Sequence, residues 1–113
     1  MIVYNSTKEG FLHDASKGIE DIVRDKVLEN LGHRVGEAEY RSWAESLGRA
    51  MYHVMNTNMI PDTAGVAIEY SIPRTRNRVD FIVSGEDENG TEQVVIIELK
   101  QWGEVDITDK DAM

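Results

Sequence analysis

Two apolar runs joined by a glycine-containing turn constrain this chain more than any other feature. Val79-Asp80-Phe81-Ile82-Val83 and Val94-Val95-Ile96-Ile97-Glu98-Leu99-Lys100 are short and rich in β-branched residues, and Gly85-Glu86-Asp87-Glu88-Asn89-Gly90 separates them. Asn-Gly between such runs signals a hairpin, because glycine supplies the positive φ that the turn needs. Both runs carry an acid where a core strand is ordinarily apolar. Strand side chains alternate faces, so Glu98 and Lys100 point the same way. In an antiparallel pair, opposed residues share a face and their numbers have a constant sum. A three-residue loop at Glu88–Gly90, with Gly90 in the left-handed position, makes that sum 178 and sets Asp80 against Glu98. A two-residue Asn89-Gly90 turn makes it 179 and throws the two acids onto opposite faces.

Upstream the periodicity is helical. Ile19, Ile22, Val23, Val27 and Leu31 recur at spacings of three and four, which predicts an amphipathic helix over about 15–31, stopped by Gly32. Tyr40, Trp43, Leu47, Met51, Val54 and Met55 give the apolar stripe of a second helix, about 36–56. Ser6 or Thr7 is placed to cap a short helix with Glu9 near its positive end, and Ile2-Val3-Tyr4 is either a short strand or an extended arm. Asn56-Thr57-Asn58 and Ile60-Pro61-Asp62 read as loop. From Gly65 onward the pattern alternates or runs continuously apolar, giving strands near 66–72, 78–84 and 93–101, with Pro73 ending the first. The expected fold is therefore α/β (α+β): N-terminal helices followed by a three-stranded, mostly antiparallel sheet.

At 113 residues the chain is expected to form one domain, 1–113. Apolar residues at 41% and charged residues at 29% belong to a globular chain, not a disordered one. No apolar run approaches the roughly 20 residues of a membrane helix, and no signal peptide is evident. No membrane partner is expected. The absence of cysteine excludes disulfides and thiolate metal sites and makes a cytoplasmic location the default expectation. A net charge of −9 argues against broad, unaided nucleic-acid binding, whose affinity comes mainly from neutralising phosphates. Bound cations would offset part of that charge.

The chemistry that suits these residues is metal-assisted hydrolysis of a phosphodiester. Mg²⁺ prefers carboxylate, carbonyl and water oxygens and takes few protein ligands beside substrate phosphate. Asp80 and Glu98 would supply carboxylates and Leu99 its carbonyl oxygen. The cation, Mg²⁺ or Mn²⁺, would lower the pKa of a bound water, and Lys100 would position that water or stabilise the charged transition state. The plainer reading makes Glu98 and Lys100 a surface ion pair of little energetic weight. Arg74, Arg76 and Arg78 form a basic stretch that either holds a phosphate backbone or lines a solvated turn. Glu69, alternating with Ile68 and Tyr70, could share the face of Asp80 or lie exposed. Trp102 is a stacking candidate or an edge-packing residue. His13, His33 and His53 have no ligand spacing and read as surface or helix-end residues.

The order helix, three strands, then Asp80…Glu98-Leu99-Lys100 resembles the PD-(D/E)xK nuclease superfamily, with Val79 where the motif usually has proline. A closer likeness spans nearly the whole chain. Arg41-Ser42-Trp43, Ile60-Pro61-Asp62, Ala64-Gly65-Val66-Ala67-Ile68-Glu69, Arg78-Val79-Asp80-Phe81-Ile82 and Val95-Ile96-Ile97-Glu98-Leu99-Lys100-Gln101-Trp102 resemble the N-terminal region of bacterial schlafen-like helicase/ATPase proteins. The resemblance implies a restriction-endonuclease-like αβββαβ core, Mg²⁺-dependent cleavage of DNA or RNA, and a P-loop ATPase region in the same longer protein. No G-x-x-x-x-G-K-[ST] sequence occurs within these residues. It further implies a helix acid completing the site. Glu39 is the first choice, lying on the stripe of Trp43 and Leu47; Glu37 is the second, and Glu45 reads as a surface partner of Arg41 and Arg49. The superfamily's final helix and strand have no counterpart before Met113. The expectation is a fragment or a reduced version whose exposed sheet edge favours a homodimer. The competing expectation is a catalytically inactive module of that fold that binds nucleic acid or a protein partner.

Overall fold

A computed structural model describes residues 1–71, 78–86 and 89–99. Chain order is strand β1 (Ile2–Thr7), helices α1 (Lys8–Lys17), α2 (Ile19–Leu31) and α3 (Glu37–Glu45), a π-helical segment (Ser46–Ala50), helix α4 (Met51–Met55), and strands β2 (Gly65–Ser71), β3 (Arg78–Glu86) and β4 (Glu92–Leu99). Among the described residues no helix is long and apolar enough to cross a membrane.

Among the described residues the sheet is antiparallel and has four strands, in the order β1-β2-β3-β4, not three. The additional member is the N-terminal segment that the sequence left as strand or arm. Tyr4 lies opposite Ile68 and Thr7 opposite Gly65, with a bulge between Ile2 and Tyr4. Val3 and Tyr4 are consequently both buried, as a bulge permits by breaking strict alternation.

The short helix expected after Thr7 is α1, and the helix predicted over 15–31 is α2, its start moved to Ile19. Gly18, with φ 108°, takes the left-handed conformation that ends α1 and starts α2, a backbone state that glycine adopts without steric cost. Thr7 caps α1, its side-chain oxygen accepting from the Gly10 N–H, and Gly32 ends α2 with φ 64°. Leu31 and Val54, both read as core, are exposed.

Trp43, Leu47, Met51 and Met55 are all buried at strict spacings of four. In an α-helix each four-residue step overshoots a full turn by about 40°, so such a stripe drifts around the rod. The π segment over Ser46–Ala50, where the Met51 N–H bonds the Ser46 carbonyl, winds less per residue and turns the stripe back towards the sheet.

All these helices pack against one face of the sheet. Val66, Ile68 and Tyr70 of β2 and Val79 and Phe81 of β3 join Phe11, Ile19, Val23, Val27 and the 43–55 stripe in one core. Phe81 meets the Phe11 ring edge-on at 5.0 Å. Lys8 is buried too. Its ammonium donates to the carbonyls of Thr57 and Ile60 at 2.5 and 2.7 Å and lies 3.5 Å from Asp62, which ties the α4–β2 loop to the start of α1. Buried ammonium groups are tolerated only with such partners.

Candidate metal and phosphate site on the outer sheet face

Strand alternation sends Glu69, Arg78, Asp80, Ile82, Ile96 and Glu98 to the face opposite the helices. The β3–β4 register sets Asp80 against Glu98, the sum of 178, and holds it from Val79–Leu99 to Glu86–Glu92. Gly90 has φ 79°. Asp87 and Glu88 lie outside the described residues, so the loop is seen from its two ends. The β2–β3 register adds Glu69 opposite Asp80. One row across three strands therefore carries Glu69, Asp80 and Glu98, three acids sharing a face.

Arg78 adds a cation to the row. Two residues before Asp80 on β3, it shares that face by alternation. Its Nε lies 3.1 Å from Asp80 Oδ1, to which it donates a hydrogen bond, and 3.2 Å from Glu98 Oε2. The hydrogen bond to Asp80 raises the Arg78 pKa above its ordinary value, and the charges of Asp80, Glu98 and Glu69 add to that. Asp80 is 7% exposed, whereas the Arg78 side chain is 52% exposed. A buried acid thus shares a half-exposed cation with an exposed acid. The N-terminal ammonium lies 3.5 Å from Glu69 Oε2.

The carboxylate pair suits a hard divalent cation that keeps most of its waters, since Mg²⁺ commonly takes one or two protein carboxylates plus substrate phosphate. It is not a cage. Among the described residues, no group of three or more His, Asp or Glu side chains is arranged to hold a metal ion. Arg78 makes contacts to Asp80 and Glu98 of the kind such a cation would make.

Glu39 is not in this group. It is buried on the helix side and accepts a hydrogen bond from the Tyr70 hydroxyl at 2.9 Å. Tyr70 also meets the Trp43 ring edge-on at 5.7 Å and lies 5.9 Å from the His33 ring. Because β2 turns Tyr70 and Glu69 to opposite faces, the expectation that Glu39 completes the Asp80 site is corrected: the sheet stands between them. The apolar stripe found Glu39's core position correctly, but core and candidate site are on different faces. His33, read as a surface or helix-end residue, is half-buried beside Tyr70.

Leu99 lies opposite Val79 with a half-buried side chain on the helix face. Lys100, Arg74, Arg76 and Trp102 lie outside the described residues. Sequence reading gave Arg78 only a generic role in a basic stretch. The usable signal was its parity, since a cation two residues before a strand acid necessarily shares that acid's face. Glu37 and Glu45 form exposed ion pairs with Arg41 and Arg49. A groove of about 620 Å³ lies between that helical run and Leu99, away from the acid row.

Comparison with protein-family models, with curated proteins and with solved structures finds no match to this chain.

Proposed function

We propose that this chain is a nuclease-like domain of the PD-(D/E)xK type, hydrolysing phosphodiester bonds of DNA or RNA with Mg²⁺ or Mn²⁺. The observation that carries the reading is the opposition of Asp80 and Glu98 on one sheet face, with a cation drawn between them. Asp80 and Glu98 would hold the metal, and the Leu99 carbonyl is the further oxygen proposed for it. The bound ion would supply Lewis-acid stabilisation of the attacked phosphate and a more acidic water.

The chain's own groups have distinct tasks. Asp80, buried and fixed by its neighbours, sets the position of the site, and the exposed Glu98 on β4 closes it from the solvent side. Arg78 offsets one of the pair's two charges at rest. Its exposed guanidinium can instead take a phosphate oxygen, a geometry its fork of donors suits. Lys100, two residues beyond Glu98, is proposed to orient the attacking water or stabilise the charged transition state.

A second reading has its own observation in favour. Arg78 already bridges Asp80 and Glu98, as a structural ion pair would. On that reading the domain is a catalytically silent module that binds nucleic acid or a protein partner within a larger helicase/ATPase protein. Cleavage assays on single- and double-stranded DNA and RNA with Mg²⁺ or Mn²⁺ separate the two. Metal-dependent cleavage that falls on the order of 100-fold or more in both Asp80→Ala and Lys100→Ala supports hydrolysis. Absent cleavage, or cleavage that ignores both changes, supports the silent module.

A further inference from the structure

One nitrogen, Arg78 Nε, lies within 3.1 Å of Asp80 Oδ1 and 3.2 Å of Glu98 Oε2. A positive charge therefore stands between the two carboxylates that a divalent ion would join, and like charges at such close range oppose each other. The three side chains are not equally fixed. Asp80 is buried, whereas the side chains of Arg78 and Glu98 are half exposed. The Arg78 main chain is held in the ladder opposite Ser71 of β2. A change of partner is thus a rotation of the Arg78 side chain about a fixed strand, with the buried acid staying in place. Charge sets the direction of that change. Glu69 joins Asp80 and Glu98 in the row, in a chain of net charge −9, so an approaching polyanion is repelled unless a cation is offered to it. The guanidinium has five N–H donors, of which Nε–H serves Asp80, and its planar fork matches phosphate oxygens.

We propose that Arg78 is a latch on the metal site of the hydrolytic reading, on which this step rests, and that it makes cation and phosphodiester binding mutually dependent. A phosphate of the substrate draws the guanidinium off Asp80 and Glu98, and the two carboxylates are then released to a divalent ion. Without phosphate, Arg78 has no other anion to take and stays with the acids. Without a divalent ion, its departure leaves the buried Asp80 carboxylate uncompensated, which is strongly unfavourable. Each ligand therefore binds weakly alone, because the competent arrangement is then only fractionally populated. Together each removes the other's obstacle, and by linkage each tightens the other by the same factor. The consequence is selectivity: the site stays closed to ambient cations until a substrate phosphate is in place.

The test titrates Mn²⁺ by calorimetry into the full chain and into Arg78→Gln, whose fold is verified by circular dichroism. Each titration is run alone and with octathymidylate, and the heat of Mn²⁺ binding to the oligonucleotide itself is subtracted. The native chain should bind Mn²⁺ at least about tenfold more tightly with the oligonucleotide than without it. Arg78→Gln should bind Mn²⁺ alone at least about fivefold more tightly than the native chain, and the oligonucleotide should enhance it less. The Arg78 Nε–H resonance, identified by its loss in Arg78→Gln, should shift when octathymidylate and Mg²⁺ are added together. Diethyl phosphate in place of the oligonucleotide separates two sources of the anion. An equal enhancement assigns the latch to the phosphodiester group, and one confined to octathymidylate assigns it to a strand; both support it. Mn²⁺ binding of equal strength in the two proteins, with the same enhancement, overturns the latch and leaves the metal site standing. So does an Nε–H resonance that stays in place while Mn²⁺ binds. No Mn²⁺ binding in either protein, with or without oligonucleotide, removes the metal reading and the latch together.

Discussion

Asp80 and Glu39 are buried to nearly the same extent, 7% and 6% exposed, yet they belong to opposite faces of one sheet and have different partners. Glu39 accepts a hydrogen bond from a neutral hydroxyl, that of Tyr70, beside the Trp43 ring. Asp80 is held by a guanidinium shared with a second acid. Both arrangements satisfy a buried carboxylate. The second sets a cation against a pair of carboxylates, the kind of electrostatics a metal ion or a phosphate would use. Burial of an acid is thus a poor indicator of chemistry by itself. The sign and mobility of its partner carry the information.

The contrast between faces is tested most severely by paired core and surface truncations. Phe81, fully buried against Phe11, should lose about 3–5 kcal/mol of stability on change to alanine. Ile96→Ala on the outer face should change the stability of the monomer by no more than about 0.5 kcal/mol. Urea unfolding of dilute samples measures both, and comparable losses would mean that the outer face is covered by something as tightly packed as the helices.

Next in size is the isosteric comparison of the two acids. Asp80→Asn should weaken Mn²⁺ binding by on the order of 100-fold in calorimetry, while Glu39→Gln leaves it within about twofold. Equal losses would place both acids at one centre and remove the two-face account.

Smaller effects separate the partners. Tyr70→Phe leaves Glu39 one donor short and should cost about 1–3 kcal/mol, with no response to divalent ions. Arg78→Gln should lower the urea midpoint in their absence, since a mostly buried Asp80 loses its charge partner while solvent screens the exposed side. Mg²⁺ should then raise the thermal midpoint of Arg78→Gln by more than that of the native chain, because the competing cation is gone. A midpoint indifferent to Mg²⁺ in both proteins counts in favour of the structural ion pair.

The smallest effect is alkaline. Burial, reinforced by a hydrogen bond to Asp14, raises the Tyr4 pKa well above the ordinary tyrosine value. A folded pKa above the unfolded one contributes stability that is fully present below about pH 10 and is lost as pH rises through the folded value. Native protein should therefore lose more stability between pH 9 and 11 than Tyr4→Phe does, as read from urea midpoints at the two pH values. Identical slopes would show that Tyr4 is not coupled to folding.

How much of this was legible beforehand depends on the range of the interaction. Strands read at 66–72, 78–84 and 93–101 correspond to Gly65–Ser71, Arg78–Glu86 and Glu92–Leu99, because alternation and turn chemistry act over a few residues. The opposition of Asp80 and Glu98 was one of two registers the turn allowed. Choosing between them needed the ladder itself. The boundary at Gly18 was read a few residues early because glycine is tolerated inside a helical pattern such as that of Ile19, Val23 and Val27. The role of β1 could not be read locally either. The short apolar segment Ile2-Val3-Tyr4 becomes part of a strand only when β2, some sixty residues later, offers an edge to pair with.

Local pattern thus determined the kinds of element, their approximate limits, the parity that unites Arg78 with Asp80, and the candidates for the acid row. Tertiary structure alone decided that the helices cover the face of Tyr70 and Phe81. It thereby assigned Glu39 to the core and left Asp80 and Glu98 with Arg78 on the other side. The reason is that a strand's two faces are equivalent to its own backbone. They become inside and outside only when distant segments pack against one of them.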